Sequence, residues 1–125
     1  MIQQEGPGWR LARDQTRLEF PVLIGGEGWA VELTDVEWQG LVALLSVLTD
    51  QHQALQSQLM DDEGIELEME QGLWWGCLDG DRNRWSLQVV LQGAPGRRGI
   101  EAHWPGSAAQ AVVAAMRAVC DSSSD

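Results

Sequence analysis

The chain has 125 residues, 44% of them hydrophobic, with seven tryptophans, one phenylalanine and no tyrosine. That length and apolar content describe one folded domain that buries about two-thirds of its unfolded surface, and they exclude an intrinsically disordered chain. The formal charge of −11 arises from 19 acids against eight arginines and no lysine, a field that repels phosphate backbones and anionic membranes.

Residues 1–8 read as a frayed lead-in. Residues 9–14 (WRLARD) and 20–24 (FPVLI) are expected strands, with Arg17 near the turn between them. Gly25-Gly26-Glu27-Gly28 leads into a third strand over 29–33 (WAVEL), in which Trp29, Val31 and Leu33 share a face. No lysine follows these glycines and the next segment is not a helix N-terminus, so they read as a hairpin turn, not a phosphate loop.

Residues 33–59 are the stretch around which the other elements are arranged. Trp38, Leu41, Leu45, Leu48, His52, Leu55 and Leu59 recur at steps of three and four, which places them on one stripe of a helix of about seven turns. Thr34 and Glu37 match the capping box, in which each side chain satisfies an amide left orphaned at the helix start.

After Asp61-Asp62-Glu63-Gly64, residues 65–70 (IELEME) alternate strictly, with Ile65, Leu67 and Met69 on one face and Glu66, Glu68 and Glu70 on the other. This is the signature of a strand with one wet face. A connection at Gln71-Gly72 leads to a strand over 73–79 (LWWGCLD), a turn over 80–83, and an alternating strand over 85–92 (WSLQVVLQ). Gly93-Ala94-Pro95-Gly96 breaks the chain before a last strand, 100–104 (IEAHW), which Pro105 stops. Ser107 opens a second helix, with Gln110 at the capping-box position and Ala109, Val112, Val113, Met116, Val119 and Cys120 as its apolar stripe. Residues 121–125 form a polar tail.

The expected product is an α+β domain with the order βββα-ββββα: one antiparallel sheet of about seven strands with both helices on its apolar side. Most strand connections are too short for parallel crossovers. A homodimer would pair through strand edges at 9–14 or 100–104.

The charge is unevenly placed. Between Gly25 and Gln71 lie eleven acids and no base; the other eight acids are matched by the eight arginines. Those arginines cluster as Arg10, Arg13 and Arg17, as Arg82 and Arg84, and as Arg97 and Arg98. No leading signal segment and no run of about 20 apolar residues is present. The expected location is therefore the cytoplasm, with Cys77 and Cys120 as buried thiols.

Motifs for chemistry are sparse. His52 takes a leucine's place in the helical stripe and reads as a hydrogen-bonded core histidine. His103 is expected on the face opposite Trp104. A zinc site from His52, His103 and Cys77 would need three distant elements and has no short-range ligand pair. The acids of residues 61–70 lack the register and central glycine of a calcium loop and read as a solvated face. No nucleophile elbow, catalytic triad or dinucleotide loop is present, so neither a cofactor nor catalysis is expected. The tryptophans carry more information. Six of the seven lie on expected strands, and adjacent Trp74 and Trp75 must point to opposite sheet faces.

Gly8-Trp9-Arg10-Leu11, the run VLIGGEGWAVELT over 22–34 with Glu37-Trp38, Trp74-Trp75-Gly76, Trp85-Ser86-Leu87 and Trp104-Pro105 resemble a cyanobacterial family, domain-of-unknown-function family 1818. The likeness spans about residues 8–119. It implies a fold similar to that of Whirly and positive-cofactor-four type regulators, which bind single-stranded DNA on a curved antiparallel sheet. It carries no activity over. The chain departs from those DNA binders by lacking lysine and by presenting Glu66, Glu68 and Glu70 on a strand face.

The leading expectation is a non-catalytic module that docks on a protein partner, with Trp74, Arg82 and Arg84 as anchors and the acidic stretch rejecting wrong partners. The alternative is a single-stranded nucleic-acid binder. Trp74 would then stack bases while Arg10, Arg13, Arg82, Arg84, Arg97 and Arg98 hold phosphates. A small-ligand site between sheet and helix is a third reading. The first two require the arginines to gather beside an exposed indole.

Overall fold

The computed structural model describes residues 1–123, with side chains through Cys120; the last part of the expected polar tail, residues 124 and 125, lies outside the described residues. Along the chain run β1 (Ile2–Gly6), β2 (Trp9–Arg13), β3 (Val22–Gly26), β4 (Trp29–Leu33), α1 (Asp35–Gln56), β5 (Ile65–Gln71), β6 (Trp74–Gly80), β7 (Trp85–Leu91), β8 (Ile100–Trp104) and α2 (Ala108–Ser123). The expected α+β class and antiparallel pairing are present, but the strands form two four-stranded meanders, β1-β2-β3-β4 and β5-β6-β7-β8, not one sheet of about seven.

Two corrections to the expected plan follow. Residues 1–8 are not a frayed lead-in, because Ile2–Gly6 pairs along its whole length with β2, from Ile2 opposite Arg13 to Gly6 opposite Trp9. Backbone pairing needs no apolar alternation, and this polar strand contributes little more than Ile2 to the core. β2 is consequently an interior strand and offers no free edge, while β8 ends the second sheet. The start of the expected tail is helical, since α2 continues to Ser123.

The capping box at the start of α1 forms as its sequence demands. Glu37 N donates to Thr34 Oγ1 at 3.1 Å and Thr34 N donates to Glu37 Oε1 at 2.8 Å. The helix stops at Gln56 with Ser57 as its C-cap, one turn short of Leu59. Gly28, at φ 81°, supplies the left-handed residue of the two-residue β3–β4 turn, as the hairpin reading requires.

Each helix reaches across to the other half: α1 lies on β5 and β6, and α2 on β2 and β1 as well as on β7 of its own half. Gly76 allows the first of these contacts, because a Cβ there would stand 2.8 Å from Leu44 Cδ2. The sheets meet where Trp104 Nε1 donates to the Gly25 carbonyl at 2.9 Å and its ring lies 5.3 Å from that of Trp29. One continuous core results, from Leu11, Val22 and Ile24 of the first sheet to Leu78, Leu87 and Trp104 of the second. His52 is buried in it as expected, with Nε2 2.9 Å from the Asp81 carbonyl and its ring 5.9 Å from Trp85. A carbonyl partner requires the proton to sit on Nε2.

Candidate functional site

The inner face of the second sheet is sealed by α1 and α2, so its chemistry lies on the outer face. Strand alternation and register build that face in rows. Glu70, Trp75, Val90 and Glu101 form one row; Glu68, Cys77, Gln88 and His103 the next; Glu66, Asp79 and Ser86 the third. The glutamates of β5 are exposed, as the IELEME pattern requires, and His103 is exposed while Trp104 is buried.

Trp75 stands half-buried on an interior strand of this surface, in the row nearest the β5–β6 turn, and its Nε1 donates to Glu68 Oε1 at 2.8 Å. Gln88 Nε2 donates to Glu101 Oε1 at 3.0 Å. Among the described residues, the five ion pairs use Asp35, Glu32, Asp61, Glu37 and Asp50. Glu66, Glu68, Glu70, Asp79 and Glu101 therefore share this face without a guanidinium among them. The Cys77 thiol registers the field: burial first, then the charges of Glu66, Asp79 and Glu68, push its pKa up. It is correspondingly a poor nucleophile.

The residues expected to form a docking or nucleic-acid surface do not assemble. Trp74, the intended anchor, is 1% exposed and donates Nε1 to the Glu37 carbonyl at 3.0 Å; it belongs to the core. Arg82 is held by the Leu59 carbonyl at 3.2 Å and Asp61 at 3.3 Å, which fastens the β6–β7 turn to the segment after α1. Arg84 lies in the same turn with its side chain against Gly106. Arg10 is on the outer face of the first sheet opposite Glu5, and Arg13 faces Asp35 at 3.9 Å. Arg98, from the β7–β8 connection, pairs with Glu37, donates to the Glu32 carbonyl and covers the Phe20 ring at 4.8 Å. Burial pushes the Glu37 carboxyl up, but the hydrogen bond from Arg98, those from Thr34 and the Arg98 charge outweigh it and leave the pKa below its ordinary value. Arg97 neighbours Arg98 but, among the described residues, has no carboxylate within 4.0 Å. Most of these guanidiniums brace connections between elements.

Comparison with known proteins places this architecture. The family model described as "Domain of unknown function (DUF1818)" matches residues 4–119. The chain belongs to the DUF1818 family. A crystal structure from Prochlorococcus sp. NATL2A, described as a protein with unknown function from the DUF155 family, is similar to it with a TM-score of 0.87 and 45% sequence identity, covering 95% of this chain and 98% of that one. None of the curated proteins matches.

Within this DUF1818 domain, the outward tryptophan was legible. Any two-residue connection between β5 and β6, whether at 71–72 or at the observed 72–73, pairs Trp75 with a glutamate of β5 and turns it outward. What sequence could not supply is the partners of the arginines, which come from segments up to 68 residues away in the chain. Among the described residues, no group of three or more His, Cys, Asp or Glu side chains could hold a metal ion.

Proposed function

We propose that this DUF1818 domain is a non-catalytic interaction module that docks on a protein partner through the outer face of its second sheet, and that the partner surface is cationic. The observation that carries this reading is the half-buried Trp75 set among five carboxylates with no guanidinium beside them. An indole on an interior strand of a sheet supplies apolar area and a π face for an arginine or lysine. The surrounding charge raises the encounter rate with a basic surface and rejects acidic ones. Anchoring thus passes from Trp74 to Trp75, and Arg82 and Arg84 become structural braces.

The Whirly-type fold implied by the sequence resemblance belongs to this proposal too, supported by the antiparallel sheets and paired helices. So do a cytoplasmic location and, through β8, a homodimer. Among the described residues no helix is long and apolar enough to cross a membrane. A single-stranded nucleic-acid partner would meet carboxylates around the half-buried indole, which opposes phosphate binding.

The test is fluorescence polarisation of a labelled arginine-rich peptide, with labelled oligo-dT in parallel. Salt-sensitive peptide binding is expected, lost in Trp75→Ala and in the triple variant E66Q/E68Q/E70Q. It should be kept in the charge-matched control D61N/D62N/E63Q. Equal loss in both triple variants would reduce the interaction to bulk charge, and tight oligo-dT binding would reverse the choice of partner.

A further inference from the structure

A cleft of 270 Å³ opens where the first turns of α1 meet the β5–β6 turn, walled by Val36, Gly40 and Ala43 of the helix, by Leu73 of the turn and by Trp74 and Leu91 of the second sheet. Gly40 lets the Trp74 indole close against the helix at the cleft floor, since a Cβ there would stand 3.0 Å from Trp74 Cδ1. At its mouth Val36 is 77% and Leu73 43% exposed, two of the few large apolar side chains that the described residues leave in water. A second hollow of 190 Å³ shares Glu37, Leu73 and Leu91 with the first and runs on to Arg97 and Arg98. Together the two reach the lower end of the volumes in which small ligands are bound, about 300–1,000 Å³.

The charges at this end are unlike those elsewhere in the molecule. Glu37 is taken by Arg98, through both guanidinium contacts. Arg97 is exposed, and among the described residues no carboxylate lies within 4.0 Å of it. In a chain of charge −11, an apolar cleft therefore ends at a spare cation. A guanidinium binds a carboxylate through two parallel hydrogen bonds, and an apolar wall accepts an alkyl chain and little else.

We propose that this cleft binds a small amphipathic anion, its alkyl chain between α1 and the second sheet and its carboxylate at Arg97. The site is separate from the Trp75 face and stands or falls without it. Only non-covalent contacts are required.

The experiment is calorimetric titration of the full chain with decanoate below its micelle concentration, with decanol and an acetylated, amidated leucine-rich peptide as the other arms. Saturable one-to-one binding of decanoate is expected. Arg97→Ala should weaken it about tenfold, the scale of one lost charge-assisted hydrogen bond. Ala43→Leu, which fills the cleft from a helical position, should abolish it. Val36→Asn, at an exposed position that folding tolerates, should weaken it as well and covers the case in which Ala43→Leu fails to fold. The assignment is overturned if decanoate does not saturate or if its affinity is indifferent to Arg97→Ala and to the cleft variants. Decanol binding equally well would overturn the anionic head, and preference for the peptide would overturn the small-ligand class.

Discussion

The junction from β4 into α1 and the junction from β8 into α2 stand at equivalent places in the two halves, yet the chain turns into its helix by different means. At α1 the Thr34 backbone is extended, at φ −70° and ψ 165°, and the capping box closes around it. At α2 the sequence offers an equally good box, Ser107 with Gln110, but Ser107 sits at φ 74°, outside the extended conformation that an N-cap uses. Gln110 is employed elsewhere. Its Nε2 donates to the Asn83 carbonyl at 2.7 Å and its Oε1 accepts from Trp85 N at 3.3 Å, so it ties α2 to the β6–β7 turn. Other connections agree closely. Asp14 after β2 and Asp81 after β6 each fold their turn by accepting amides two or three residues on.

The halves differ most on their outer faces. The first sheet shows Ala12, Leu23, Gly25 and Ala30 with Arg10 opposite Glu5; the second shows Trp75 and its carboxylates. The plan is held by strand pairing and inner packing, which leaves the outward positions free to diverge. Divergence on a shared plan marks where a function can be placed.

The comparison can be broken most forcefully at the two adjacent tryptophans. Trp74→Ala should cost about 3–5 kcal/mol of stability, as for other buried aromatics. Trp75→Ala should cost about 1 kcal/mol or less, as at a surface site. Urea unfolding would show this, and comparable losses would mean that the outer face is structural after all. Next come the helix starts. Thr34→Ala should lose about 1 kcal/mol with the cap, whereas Ser107→Gly should stay within about 0.5 kcal/mol because relief of the left-handed backbone offsets added unfolded-state entropy. Thermal unfolding of the pair tests whether the two junctions differ as drawn.

The smallest effect concerns pH. Hydrogen bonds from the Thr16 side chain and backbone lower the Asp14 pKa, and those from the Asn83 and Arg84 amides lower that of Asp81. A lowered folded-state value means that the stabilisation is complete above the unfolded pKa, about 3.9, and is lost as pH falls through the folded value. Asp81→Asn should therefore flatten the acid limb of a stability–pH curve below about pH 4 while changing little at neutrality. An unchanged limb would show that this turn does not depend on the carboxylate charge.

Much of this architecture was written locally. The start of α1, the wet face of β5, the burial of His52 and the glycine turn at Gly28 each follow from residues a few positions apart, because capping, alternation and turn geometry are short-range relations. The same is true of Trp75, whose direction follows from the phase of its hairpin. Tertiary structure decided the rest. A polar segment became β1 because β2 offered it backbone partners, and two meanders formed where alternation alone allowed one. Most of the arginines became braces because acids and carbonyls distant in sequence arrived beside them. Pairing and ion contact depend on which segments meet, and that is settled by the packing of the whole core, not by any one stretch of chain.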